Sequence, residues 1–341
     1  MNVGFVLDQC SAACEPKYPY IQEQGPNMVH HSEKNFKQND KLLKMPGKLD
    51  RGPVEFKSRV VEHEGEIMAI ATGDVITVPQ TMSILGGVET MTRCGFRRLP
   101  VVDAGSRKVR GIVTSGDIIN FLGGGDKFNL VQVKHGGNLL SAVNESIRSI
   151  MTTQVTTLPD TSSLRDAIDI IKGKMIGGIP ILHQDQSIAG IVTERDVMTV
   201  LANERVTCTV EEIMSRSLRV TEPDCPIGKV TREMTKYRFR RLPVVSDDVL
   251  YGIITTTDIM KYLGSKRVFD QLETGDIAEV MALPVRTLVS GNLYTITPDR
   301  SVNQAAGEMV KKNAGALPVI EDARLIGLVT EFDLVNALSR G

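Results

Sequence analysis
Phe96–Val102 reads FRRLPVV, and Phe239–Val245 reads FRRLPVV again. Two relatives of the same stretch stand at Gly177–Leu182, GGIPIL, and at Gly315–Ile320, GALPVI. Each is a short apolar run carrying a proline, a pattern that fits a strand at a sheet edge or beside a bulge. A polar turn follows each time: DAGSRK, HQDQS, SDDV or EDAR. A second strand then ends in Gly-apolar-apolar-Thr-x-x-Asp. The four copies are GIVTSGD at Gly111–Asp117, GIVTERD at Gly190–Asp196, GIITTTD at Gly252–Asp258 and GLVTEFD at Gly327–Asp333.

Upstream of each proline strand the period changes from two to about 3.6. Leu164, Ala167, Ile168, Ile171 and Met175 fall on one predicted helix face. Ile84, Leu85, Val88 and Met91 do the same, as do Ile227, Val230 and Met234, and Val302, Ala305, Ala306 and Met309. Before the helices lie short β-type runs such as DVITVP and QVTTLP. The chain therefore reads as four units of strand–helix–strand–strand–helix, an α/β (α+β) repeat protein. The expected boundaries are 66–125, 146–203, 207–265 and 276–340. Residues 126–145 read as a linker or insertion, and Pro284–Leu293 as a local insertion in the fourth unit. A unit of about 60 residues buries too little of its surface to be comfortable alone, so the units are expected to pair.

The 341 residues carry a net charge of −1 with 24% charged side chains, which gives nucleic acid no basic surface to bind. There is no Trp and only 4% aromatics, so a base-stacking platform is not expected. No apolar stretch has membrane-spanning length. Residues 1–65 lack sustained periodicity and read as a flexible leader, with Met28 and Met45 as alternative starts. The opening MNVGFVLDQCSAAC has no basic n-region, and Asp8 and Gln9 interrupt it, so a cytoplasmic protein is expected. The five cysteines form no disulfide framework. Cys10 and Cys14 with His30 and His31 match no standard zinc spacing, so no metal is expected.

Enzyme signatures are missing from the sequence. GGGDK at Gly123–Lys127 lacks both the spacing and the following Ser or Thr of a phosphate-binding loop. The five histidines form no His-Glu-x-x-His, and there is no nucleophile elbow.

With four Gly-x-x-Thr-x-x-Asp segments in register, each behind a proline-bearing strand, the chain resembles the CBS domain, named after cystathionine β-synthase. The resemblance covers about residues 66–340. CBS domains pair into Bateman modules. Four in one chain is similar to the γ subunit of AMP-activated protein kinase and to stand-alone archaeal CBS proteins. The resemblance implies two modules, 66–203 and 207–340, arranged as a pseudo-twofold disc. CBS modules also occur inside inosine monophosphate dehydrogenase, but a catalytic barrel of about 250 residues has no room beside the four units.

Taken alone, Thr-x-x-Asp at a strand-to-helix junction is a capping box. The same geometry also suits a sugar-phosphate, because a helix N-terminus offers free amides and a short acid can accept both hydroxyls of a ribose. The resemblance implies the ribose role for Asp117, Asp196, Asp258 and Asp333, and places Thr114, Thr193, Thr255 and Thr330 near the sugar-phosphate. It assigns phosphate contact to Arg97, Arg98, Arg240 and Arg241, with Arg98 and Arg241 the firmer pair. Alternation along a strand would send the two arginines of each pair to opposite faces. Gly177-Gly178 and Gly315-Ala316 lack the cation and leave room. Arg195 could supply charge to the second unit, where Gly116, Thr257 and Phe332 stand in the others. The first and third units therefore look best suited to nucleotides. Adenine would be read by backbone groups near Thr77, Thr157 and Thr221, with Ile296 replacing the threonine in the fourth unit.

The expected function is non-catalytic: a regulatory protein that binds AMP, ADP or ATP, senses energy state and modulates a protein partner or acts through self-association. Two alternatives stand beside it. One is an adaptor that keeps a nucleotide as a fixed structural ligand. The other is an S-adenosylmethionine-binding module, against which the arginine pairs argue.

Overall fold
The computed structural model describes residues 66–202, 206–247, 249–265, 267–270, 272–289 and 293–339. The leader, its alternative starts and the Cys10, Cys14, His30, His31 set lie outside these residues.

The first repeat runs β1 (Val78–Pro79), α1 (Ile84–Cys94), β2 (Arg98–Val102), β3 (Val109–Thr114) and α2 (Ser115–Ile119). The second is β4 (Leu158–Pro159), α3 (Leu164–Lys174), β5 (Gly178–Leu182), β6 (Ile188–Thr193) and α4 (Glu194–Leu201). The third has α5 (Ile227–Tyr237), β7 (Arg241–Ser246), β8 (Val249–Thr255) and α6 (Thr256–Gly264). The fourth has α7 (Val302–Lys311), β9 (Ala316–Glu321), β10 (Arg324–Thr330) and α8 (Glu331–Leu338). In the last two repeats the first strand shrinks to single parallel bridges, Thr221 to Val244 and Ile296 to Val319.

The helix faces read from the sequence are buried, apart from Leu85, which is partly buried against the core, and Met175. Leu164, Ala167, Ile168 and Ile171 are buried, but Met175 is 71% exposed. Helix α3 ends at Lys174, and Met175 caps it in the left-handed region with φ 53°, which turns its side chain off the face. The segment read as a linker is largely helical: Leu130–Lys134 and Leu139–Val143 carry Val131, Leu139, Ala142 and Val143 into the core.

Each repeat has two partners, met on different sides. On the sheet side the pairing follows chain order. Thr72 bridges Ile191 and Ile112 bridges Thr152, which ties repeat one to repeat two; Ser215 bridges Leu328, which ties three to four. The motif glycine marks the crossing. A Cβ at Gly111 would lie 2.9 Å from the Thr152 carbonyl, and one at Gly190 would lie 3.2 Å from that of Thr72. At Gly252 and Gly327 it would press on Val289 and Met214. Only a residue without a side chain lets the neighbour's leading segment pass this close. In the second half β8 also pairs with β10, so four strands run β7-β8-β10-β9 as one sheet.

On the helix side the partners change. One apolar core combines repeats one and three, holding Val88, Met91, Phe121, Ile259 and Leu263; the other combines two and four, holding Ile171, Val197, Met198, Met309 and Val335. Helix α1 packs on α6, and α4 packs on α8. Each fully buried Val, Leu, Ile or Met stabilises the fold by roughly 1.5–3 kcal/mol, so neither half keeps an intact core without the other. All four repeats belong to one compact unit.

Candidate functional site
Every repeat ends its last strand on a threonine that caps the following helix. Thr114, Thr193, Thr255 and Thr330 accept from the backbone N–H of Asp117, Asp196, Asp258 and Asp333 through their hydroxyls. Each Asp answers with one oxygen. Oδ2 accepts from the threonine N–H at 2.7 Å in Asp117 and 2.9 Å in Asp196, Asp258 and Asp333. The capping role therefore uses Oδ2, while Oδ1 points away from the box. At Asp258 and Asp333 burial pushes the carboxyl up, against the lowering bonds from Thr255 and Thr330. Asp117 differs: its Oδ1 is ion-paired with Lys127 from the segment after helix α2.

The arginines of the repeated FRRLPVV meet at the junction of all four repeats. Helix α1 is closed by Gly95 in the left-handed region, and β2 begins only at Arg98, so Arg97 precedes the strand. Strand alternation does not apply to it. The expectation that the two arginines diverge is thereby corrected: both reach the same cluster, and so do Arg240 and Arg241. Arg97 Nη2 donates to Glu331 Oε2 at 2.7 Å. Arg240 forks onto Glu194, at 2.7 and 3.3 Å. Arg241 Nη1 donates to the Gly315 carbonyl at 2.8 Å. Arg195 Nε donates to Glu331 Oε1 at 2.7 Å, and the same guanidinium binds Asn313 and the Ala314 carbonyl. Arg98 makes no ion pair among the described residues.

The room left by the glycines is filled by these arginines. A Cβ at Gly177 would lie 2.6 Å from Arg98 Nη2 and 2.8 Å from Arg240 Nη1. One at Gly315 would lie 2.9 Å from Arg241 Nη2 and 3.2 Å from Arg97 Nη1. Like charges are thus stacked in pairs. Burial, with repulsion from Arg97 and Arg240, lowers Arg98 to about 10. Burial and then Arg97 lower Arg241 to about 10. Both stay charged at neutral pH, so the shift reflects first the cost of burying each charge and then repulsion from the neighbouring arginines. Glu331 is pushed up by burial, yet Arg97 and Arg195 pull it down to about 2.

Glu194 and Glu331, each 1% exposed, are functional candidates that the sequence reading missed. The signal was present. The residue after the motif threonine is Ser115 and Thr256 where two arginines lead into the proline strand, and Glu194 and Glu331 where glycine leads into it.

A cavity of about 640 Å³ opens onto this cluster. It is lined by Asp196 and Asp258, by Thr193 and Thr255, and by Arg97, Arg98, Arg195, Arg240 and Arg241. Asp74–Ile76 of repeat one and Leu293 and Tyr294 of repeat four also line it. The motif acids of two repeats from different halves therefore share one cavity. Asp117, Asp333, Thr114 and Thr330 are not among its lining residues, nor are Thr77, Thr157 and Thr221, although Thr77 adjoins Ile76. Thr221 has both backbone groups engaged by β7: its N–H donates to Pro243 and its carbonyl accepts from Val245. Among the described residues no cluster of metal-ligating side chains occurs, and no helix is long and apolar enough to cross a membrane.

Comparison with known proteins agrees with this architecture. The CBS domain model matches four times, at residues 65–124, 147–203, 210–265 and 285–340. The uncharacterized protein MJ1225 of Methanocaldococcus jannaschii is 38% identical over 79% of this chain and 98% of its own length. An uncharacterized 33.4 kDa protein from the ribosomal RNA operon of Thermofilum pendens is 30% identical over 77% of this chain and 87% of its own. The crystal structure of MJ1225, described as a proposed archaeal homologue of γ-AMPK, superposes with a TM-score of 0.76 over 80% of this chain and 99% of that one. With its four repeats matched in register and joined through their motif glycines, the chain belongs to the CBS-domain family.

Proposed function
We propose that this chain is a non-catalytic regulatory protein that binds adenine nucleotides and passes their phosphorylation state to a partner, either another protein or a second copy of itself. The observation that carries the reading is the shared cavity, where two motif acids, whose Oδ1 atoms take no hydrogen bond among the described residues, flank a cluster richer in arginine than in acid. Asp196 and Asp258 would accept ribose hydroxyls through Oδ1 while Oδ2 keeps the cap. The guanidiniums would take the phosphates, where bidentate charge-assisted bonds are strongest. Asp74–Ile76 would wall the base in the Asp196 cleft. Asp117 would be a weaker seat, because Lys127 holds the oxygen a ribose needs. S-adenosylmethionine fits the cluster poorly, since its sulfonium adds one more cation.

Calorimetric titration with adenosine, AMP, ADP and ATP tests the reading. Affinity is expected to rise with phosphate number. Arg98→Ala with Arg241→Ala should lower ATP binding most and adenosine binding least, each lost bond contributing about 1.5–3 kcal/mol. Tighter binding of S-adenosylmethionine than of ATP, or an equal loss for all four ligands, would overturn it.

A further inference from the structure
Burying a carboxylate is unfavourable unless it is paired, and Glu194 and Glu331 are buried where helix capping does not ask for them. Ser115 and Thr256 fill the same position in the other two repeats, where their hydroxyls bond each other at 3.1 Å and carry no charge. Each glutamate opens a helix, α4 or α8, two residues before the motif acid of that turn. One helix turn thus offers an acid to a sugar and another acid to the arginines that would hold its phosphates. Between them the two glutamates engage Arg97, Arg195 and Arg240, leaving Arg98 unpaired and Arg241 on a carbonyl. Five guanidiniums against two carboxylates leave three positive charges. Asp74, Asp196, Asp258, Lys261 and Lys312, the other charged groups lining the cavity, change that balance by one.

We propose that Glu194 and Glu331 are specificity-determining residues: internal anions that compete with ligand phosphates for the cluster and set how much phosphate charge it accepts. This rests on the nucleotide reading above and adds a ranking to it. With both carboxylates in place, a short phosphate chain satisfies the free cations. A longer one gains less for each added phosphate, because it must share arginines that the glutamates already hold. Removing one carboxylate frees a guanidinium for the phosphate chain and shifts preference toward the longer chain.

The test uses Glu194→Gln and Glu331→Gln in the full chain, with ATP, AMP and inorganic tripolyphosphate as probes. Glutamine keeps the shape and hydrogen-bonding reach and removes the charge. Each variant should raise the ratio of ATP to AMP affinity about tenfold, the effect of one added charge-assisted bond, and should tighten tripolyphosphate by a similar factor. Thermal unfolding checks folding, and Glu194→Gln, whose only ion-pair partner in the cluster is Arg240, carries the test if Glu331→Gln does not fold. A glutamate that only braces the interface would lower the melting temperature and leave the ratio unchanged, which overturns the proposal. If the wild type binds tripolyphosphate but no adenine nucleotide, the nucleotide reading fails, and a tighter tripolyphosphate site in the variants still supports competition by the glutamates. If it binds neither probe class, both readings fall.

Discussion
Repeats one and three and repeats two and four share a fold but differ in what they bring to their common centre. The first pair donates arginines, from Arg97-Arg98 and Arg240-Arg241. The second pair receives them, with Gly177-Gly178 and Gly315 as the space and Glu194 and Glu331 as the counter-charge. Helix contacts repeat the division, since one joins one with three and the other joins two with four. The difference shows why an identical heptapeptide occurs twice in a chain of four repeats. A central cluster built from four identical strands would hold eight arginines and no niche for any of them.

The sharpest way to break this division is to remove a receiving acid. Glu331→Ala leaves Arg97 and Arg195, both partly buried, without their acid, and losing one partner of a buried pair costs up to about 3–5 kcal/mol. Ser115→Ala, at the matching position of a donating repeat, removes one hydrogen bond and should cost about 1 kcal/mol. Urea unfolding of the two variants measures the contrast, and equal losses would erase it.

Acid next separates the buried glutamate from the motif acids. Glu331 is held at about 2, below its ordinary 4.5. Its contribution is present above pH 4.5 and is lost as pH falls toward 2. Asp258 and Asp333 are shifted upward, so their protonation acts in the opposite direction, favouring the folded state as they take up protons. Stability measured from pH 5 to pH 2.5 should therefore fall more steeply in the wild type than in Glu331→Gln, and parallel curves would remove Glu331 from the account.

The smallest change is a single methyl. Gly177→Ala places a Cβ against Arg98 and Arg240 and should weaken ATP about tenfold with little effect on adenosine, since only the guanidiniums move. Gly173→Ala, four residues earlier with open space around it, should leave both ligands alone and stabilise helix α3 by about 0.5–1 kcal/mol. Loss of adenosine and ATP in equal measure at Gly177→Ala would show a general distortion of the fold instead.

Much of the fold was legible because it depends on local period. The four hairpins, the helix faces and the Thr-x-x-Asp caps follow from alternation, from the 3.6-residue repeat and from the capping box. Met175 escaped that logic because its helix stops one residue earlier in a left-handed cap without glycine, and nothing in the apolar pattern records the stop. Residues 126–145 read as a linker because Gly123–Gly125 and Gly136-Gly137 punctuate them, yet their apolar residues finish the core of repeats one and three. The candidate site was half legible. Its acids and arginines stand in motifs. The glutamates gain their meaning from partners far along the chain, such as Arg97 with Glu331, which one strand or helix cannot reveal, and Lys127 gains its meaning from a turn that folds it back on Asp117 ten residues earlier.

The contact between Gly177 and Arg98 also couples substitutions in different repeats. A Cβ at 177 would meet the far end of a flexible arginine, so a side chain there must displace the guanidinium. A change at 177 is therefore felt at Arg98, and a shorter residue at 98 relieves the crowding that a side chain at 177 creates.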